Sequence, residues 1–588
     1  MLYPGGTQTV AYTMDANDNV TQTSEVYPSS LALTYAYTDV SLLDTITDGT
    51  NTIADYTYAG LRRKQLLYGN GAKSVFSYSG YRGEVATIDH QDNSSNTLLR
   101  LDYGYNKLHD RTYERYGASG SAGDGFEYDK ARRLTVAWMG SSTPSSPPGN
   151  TYTKKIEYNM DDDGNRTSVV TTPYGVSPTT VSYTDNSLNQ YTVVGGVSRS
   201  HDGNGNVSDD GTYTYAFNYK NLIVKATRKS DSAVVGEYKY DALGRRVEKA
   251  ITGATYRYIY SGVETVSVYT STGTWKQDYV YGPDIDEVIM LEQADVLDWD
   301  ADSNTTELAR SWYMKNALGS VMQVQEPDRT EAVTYRYDPY GEVTITRGGS
   351  GQSGDPLGQY VTYTGRWRDE ETNLYHYRAR AYDPVRGRFL QRDPLGVVAG
   401  PSLFEYCRSC PPVLRDPTGE VAPLVVFGAG VLAGMAIEAL VTELCDDDPC
   451  RCTVTIEATR RPSSHKNKNN SIELDVIIIT FTPANPVDCD EDCDCDPVCE
   501  SAATEIALAV ALFSAGGGLG APPNLSALLF GSSGFGVQSA RHVVWVNSDG
   551  DTGSDTSAPS DQAGLPADFW NPALYSSWKV GKVFGECD

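Results

Sequence analysis

The chain has 588 residues, enough for two or more domains, and a formal net charge of -28. That balance excludes a phosphate-reading surface, which needs a basic stripe, so no nucleic-acid partner is expected for the main body. Tyrosine is the compositional outlier, 42 against 12 phenylalanines; it suits half-exposed strands, where the ring packs and the hydroxyl reaches water or a backbone group.

The opening, MLYPGGTQTVAYTMD, has no basic stretch followed by an apolar one, so no signal peptide is expected there. A repeat begins almost at once and fills residues 1–278. Its unit is aromatic-x-aromatic, then Asp or Asn, a Gly/Asn turn and a short β-branched run. Copies include Tyr35-Ala-Tyr37-Thr-Asp39, Phe126-Glu-Tyr128-Asp129 and, most fully, Tyr238-Lys-Tyr240-Asp241-Ala-Leu-Gly244-Arg245-Arg246. Successive copies lie 18 to 30 residues apart, mostly 20 to 23. Two strands of about six residues and two turns take roughly that length. Alternation puts both rings of Tyr-x-Tyr on one face. No long window with helical spacing occurs before residue 290. The fold class predicted is all-β, a spiralling antiparallel sheet. Asp202-Gly-Asn204-Gly-Asn206 and Asp161-Asp-Asp-Gly164-Asn165 have alternating oxygen ligands, but without a bidentate Glu they are expected to be plain turns.

Residues 279–420 form a second region. It contains Tyr279-Val-Tyr281-Gly-Pro283, Asn316-Ala-Leu-Gly319, Tyr335-Arg-Tyr337-Asp338-Pro-Tyr340-Gly341 and the run YTGRWRDEETNLYHYRARAYDPVRGRFLQRDPLG from Tyr363 to Gly396. These residues resemble the RHS repeat-associated core, and the repeats before them resemble the YD repeats of the RHS, teneurin and insecticidal-toxin group. The resemblance spans about residues 10 to 420. It implies a hollow β-shell (here a small one, with about 280 residues of repeat) plugged by the core. It also implies a C-terminal cargo, often a toxin with a matching immunity protein, released by self-cleavage.

Two similar tetrads, Asp393-Pro-Leu-Gly396 and Asp416-Pro-Thr-Gly419, end this region. By resemblance, Asp393 and Asp416 act as an aspartic-protease-like pair that cuts after the second tetrad, between Glu420 and Val421, with Arg392 assisting. Two close carboxylates share a proton, so one can act as base on water while the other polarises the carbonyl. Each tetrad also has turn chemistry in its own right. Glu420 stands where the family has Leu, which puts a charge next to the cut. Cys407-x-x-Cys410 has the spacing of a redox or half-zinc motif, without a matched second pair.

Composition changes at residue 420. Residues 421–588 hold one tyrosine, eight of the ten cysteines and -15 of the net charge. Val421 to Ile437 is uncharged and apolar, extending to Leu444 across Glu438 and Glu443; residues 506–540 are also uncharged. These two stretches predict a mixed, partly helical region, as core or as membrane-inserting segments. Cys489, Cys493, Cys495 and Cys499 sit among carboxylates; disulfides are preferred for them, with metal ligation the weaker alternative. His465 and the Arg541-His542 pair match no hydrolase or nuclease pattern. No cofactor is expected. The leading function is a secreted or cell-surface shell that encloses and releases its own C-terminal cargo. The alternatives are a non-enzymatic adhesion protein contacting a neighbouring cell, and a pore-forming cargo acting on a target membrane.

Overall fold

The computed structural model describes residues 2–420, except short stretches at 4–5, 8, 16–19, 27–30, 80–82, 118–120, 147–150, 295–307 and 397–401. Beyond 420 it describes only the backbone of strands between 452 and 583. The chain divides into two compact units, Met1–Gly430 and Val431–Asp588.

In the first unit the wall is two sheets, and within each, successive strands pair antiparallel. The seventeen strands from Thr9–Met14 to Val197–Ser198 close into a barrel, and a further 15-stranded sheet runs from Ser200–His201 to Ser350–Gln352. The strand Trp275–Tyr281 carries the wall across position 278 without a break. Among the described residues there is no α-helix, only single 3-10 turns at Tyr363–Gly365 and Cys407–Ser409.

The repeat's chemistry explains this wall. In Tyr238-x-Tyr240-Asp241, the first ring is buried inward and the second hydroxyl donates back to the preceding repeat, to the Ile223 carbonyl at 2.8 Å. The same bond recurs from Tyr58 to Leu43, Tyr128 to Arg111 and Tyr337 to Val321, at 2.6 to 2.7 Å. Phenylalanine cannot make it, which accounts for the tyrosine excess. The Asp241 carboxylate then caps its own turn, accepting the backbone N–H of Leu243 and Arg245 at 3.0 and 2.9 Å, while Gly244 takes φ +86°. Asp202 does likewise with Asn204 and Asn206, both at 2.9 Å, and Asp161 with Asn165 at 2.7 Å. Those carboxylates are committed to their turns. The arginine after the turn lies over the first ring: Arg246 over Tyr238 at 4.4 Å, Arg111 over Tyr103 at 4.7 Å.

A small four-stranded sheet, Trp367–Asp369, Leu374–Tyr377, Arg380–Asp383 and Arg388–Phe389, forms the plug. Its centre is aromatic: Tyr363, Tyr375, Tyr377, Tyr382, Phe389 and Tyr406, with Tyr382 and Tyr406 centroids 4.2 Å apart. Buried charge pairs tie it to the wall. Arg246 and Lys249 reach Asp369 at 2.7 and 3.1 Å, and the Tyr238 hydroxyl donates to Glu371 at 2.8 Å. Unpaired, any of these would be costly inside the shell.

In the second unit, five antiparallel strands lie in the order Thr552–Asp555, Arg541–Val546, Leu474–Pro483, Cys452–Arg460, Ser576–Val583. The predicted apolar stretches at 421–444 and 506–540 and the cysteines at 489–499 lie outside the described residues, as do the side chains of His465 and His542. Among the described residues no helix is long and apolar enough to cross a membrane.

Candidate functional site

Each tetrad folds as a turn, and each uses its carboxylate twice. Asp393 Oδ1 accepts the Leu395 N–H at 2.9 Å; Asp416 Oδ1 accepts the Gly419 N–H at 2.7 Å and the Thr418 hydroxyl at 3.3 Å. The second oxygens converge. Asp393 Oδ2 lies 2.8 Å and Asp416 Oδ2 3.3 Å from the same atom, Arg380 Nη2, so they stand at most about 6 Å apart. Turn and pair are therefore one structure.

Arg380 begins the strand Arg380–Asp383, is buried, and packs over Phe389 at 3.6 Å. Its remaining donors hold chain: Nε to the Gly419 carbonyl at 2.5 Å, Nη1 to the Leu403 carbonyl at 3.2 Å. Three consecutive residues grip the exit of the second tetrad: Arg378 donates to the Pro417 carbonyl, the Ala379 N–H to Thr418 at 3.2 Å, and Arg380 to Gly419. Gly419 has φ +71° and lies so close that a Cβ would stand 2.1 Å from the Tyr377 carbonyl oxygen.

Burial sets the electrostatics. It pushes the Asp393 carboxyl up to about 6 against the pull of Arg380, and it raises Asp416 too. Glu420 is raised by burial and then by the Asp416 charge. Burial also draws the Arg380 guanidinium below its ordinary value, with both aspartates opposing. Two buried carboxyls beside one guanidinium thus hold a proton to higher pH than free carboxyls do.

The expected helper, Arg392, is elsewhere. It is exposed and lies along the Gly205 turn, where a Cβ would meet Arg392 Cδ at 2.6 Å. The arginine that bridges the pair is Arg380, which sequence reasoning missed. Its signal was an arginine set among Tyr375, Tyr377 and Tyr382, which needs a buried partner from elsewhere. Glu420 is half-buried beside Asp416, with its N–H on Thr418 Oγ1 at 3.2 Å; Val421 falls outside the described residues. Burial pushes the thiols of Cys407 and Cys410 up, away from the thiolate that redox or zinc chemistry uses. Among the described residues no three His, Cys, Asp or Glu side chains are grouped to hold a metal ion.

A teneurin YD-shell family model matches residues 127–398. The chain is also 32% identical over 277 residues to the tRNA3(Ser)-specific nuclease WapA of Bacillus spizizenii, covering 46% of this chain and 11% of that protein. Residues 127–398 are an RHS-type YD-shell region. Over 74 residues the YD-shell chain is 43% identical to toxin protein Tse5 of Pseudomonas aeruginosa, covering 13% of this chain and 6% of that one. The solved TcdB2-TccC3-Cdc42 structure superposes with a TM-score of 0.58 at 19% identity, over 70% of this chain and 22% of that one, a likeness of fold alone. The YD-shell chain thus spans about a tenth or less of the length of these two curated relatives, and its shell is of the kind found in polymorphic toxin-type proteins.

Proposed function

We propose that this chain is a secreted toxin shell that cuts itself between Glu420 and Val421 and frees residues 421–588 as cargo, with an immunity protein as partner in the producing cell. One observation carries the reading: Asp393 and Asp416 share Arg380 Nη2, and the same guanidinium holds the Gly419 carbonyl, one residue before the bond to be cut. In the hydrolysis, one carboxylate takes a proton from water as its oxygen adds to the Glu420 carbonyl carbon. The other carboxyl, protonated, hydrogen-bonds the carbonyl oxygen, and Arg380 steadies the negative charge that develops there. Collapse breaks the C–N bond, and the proton passes to the Val421 nitrogen, leaving a carboxylate on Glu420 and a free amine on Val421.

The charge on Glu420 sets this site apart from one with Leu at that position. A third carboxyl beside the pair raises the cost of ionising any of the three, which favours the protonated acid that the mechanism needs. Mass analysis of the purified full chain tests the reading. A fragment beginning at Val421, present in wild type and absent from Asp393→Asn and Asp416→Asn, supports it. A wild-type chain that stays whole refutes it.

A further inference from the structure

A second set of buried charges stands behind the second tetrad, centred on Asp286 in the link between strands Trp275–Tyr281 and Val288–Ala294. Asp286 Oδ1 accepts from Arg366 Nη1 at 2.6 Å and from Arg378 Nη2 at 2.7 Å; Oδ2 accepts from Arg378 Nη1 at 3.2 Å. Arg378 Nη1 is also the donor to the Pro417 carbonyl. Glu264, on the adjoining wall strand Glu264–Thr270, closes the set: its Oε1 accepts the Asp286 N–H at 3.0 Å and lies 3.3 Å from Arg378 Nη2.

The hydrolytic machinery does not use these residues, yet they decide where its substrate lies. Arg378 sits at the tip between strands Leu374–Tyr377 and Arg380–Asp383 with φ +50°, a conformation that a non-glycine residue keeps only when its surroundings hold it. Asp286 supplies that hold, with both of its oxygens on Arg378. Although burial raises its carboxyl, Arg366 and Arg378 bring it below the ordinary carboxylate range, so it stays ionised. The backbones are locked together as well: Gly365 has φ +74°, and a Cβ there would come within 2.3 Å of the Asp286 carbonyl oxygen. A continuous run therefore leads from wall (Glu264, Asp286) through plug (Arg366, Arg378) to the Pro417 carbonyl, next to Asp416.

We propose that Asp286 is a positioning residue for self-cleavage: by holding Arg378 on the Pro417 carbonyl it makes the cut wait until the plug is seated on the wall. This rests on the hydrolytic reading above. A chain whose plug has not docked lacks Asp286 at Arg378, leaves the second tetrad loose, and keeps its cargo attached. Seating the plug completes the grip and permits the cut.

The test follows full-length chains after cell-free synthesis, timing the appearance of the Val421 fragment by mass, with Asp393→Asn as the uncut reference. Asp286→Asn, which keeps the shape but not the charge, is expected to slow the cut about 10- to 100-fold, the effect of roughly an ångström of misplacement. Arg378→Gln should slow it similarly, and Arg378→Lys, with a cation and a donor, should recover much of that loss. The double variant Asp286→Asn/Arg378→Gln should be no slower than Arg378→Gln alone. An Asp286→Asn chain cut at the wild-type rate overturns the proposal. So does a loss that Arg378→Lys does not relieve, or a double variant slowed by the product of the two single effects. A wild-type chain that is never cut overturns the hydrolytic reading itself, and this one with it.

Discussion

Replacing Gly419 with alanine probes the grip on the chain exit with the smallest perturbation available, a single methyl group. At φ +71° an alanine pays about 1 kcal/mol in left-handed strain. The larger effect is steric. The new Cβ would stand 2.1 Å from the Tyr377 carbonyl oxygen and 3.2 Å from the Arg380 N, both backbone atoms of the paired plug strands, which cannot swing aside. A C···O approach of roughly 3.3 Å is the ordinary limit, so residue 419 must retreat by about 1 Å. That retreat pulls its carbonyl off Arg380 Nε and its N–H off Asp416 Oδ1, and carries the Glu420 carbonyl with it. A displacement of that size costs about 100-fold in rate, or near 3 kcal/mol of barrier. The assay is the first-order appearance of the Val421 fragment. Thermal unfolding of the shell serves as control and should shift little, because the Tyr-hydroxyl bonds of the wall are untouched. A Gly419→Ala chain cut within twofold of wild type would refute the account of how the exit is held.

Three further outcomes are expected. The cut should slow as pH rises through about 6, where Asp393 gives up the proton that the pair needs, and a rate flat from pH 5 to 8 would count against a shared proton. Removing one latch by Tyr240→Phe should cost about 1 kcal/mol in urea unfolding, and adding Tyr58→Phe should double the loss, since the two bonds lie in separate repeats. Burial pushes the Asp124 carboxyl up to about 7 beside the Tyr116 hydroxyl. A raised carboxyl stabilises the fold fully below its unfolded value near 4 and loses that contribution as pH climbs through 7. Asp124→Asn should therefore gain on wild type in unfolding midpoint between pH 5 and 8; parallel curves would refute this.

Much of the wall was legible in the sequence because its rules are local. Tyr-x-Tyr followed by Asp or Asn specifies a strand face, a latch and a capped turn within eight residues, so Tyr238–Arg246 reads as a hairpin unaided. The pairing of Asp393 with Asp416 was accessible only through resemblance, since spacing alone equally describes two turns, and both descriptions hold. The rest depends on contacts between distant residues. Arg380 meets its carboxylates 13 and 36 positions away, and Asp286 meets Arg378 across 92 residues; no periodicity announces such pairs. Arg392 drew attention by standing next to Asp393, but the chain there turns Arg392 out to the Gly205 turn while Asp393 is buried. Closure of the first seventeen strands into a barrel is likewise a property of accumulated twist, absent from any one repeat.

The backward-reaching tyrosine has a consequence for how such walls change in length. Where the hydroxyl fastens to the repeat before it and an Asp or Asn closes its own corner, a whole unit can be duplicated or lost and the joint is re-formed by the next unit in line. Losing a single residue between ring and corner undoes two joints at once. Lineages of these shells should therefore differ by whole repeats, while the seat for the plug, where Tyr238, Arg246, Lys249 and Asp286 are matched to particular residues of the plug, stays fixed in size.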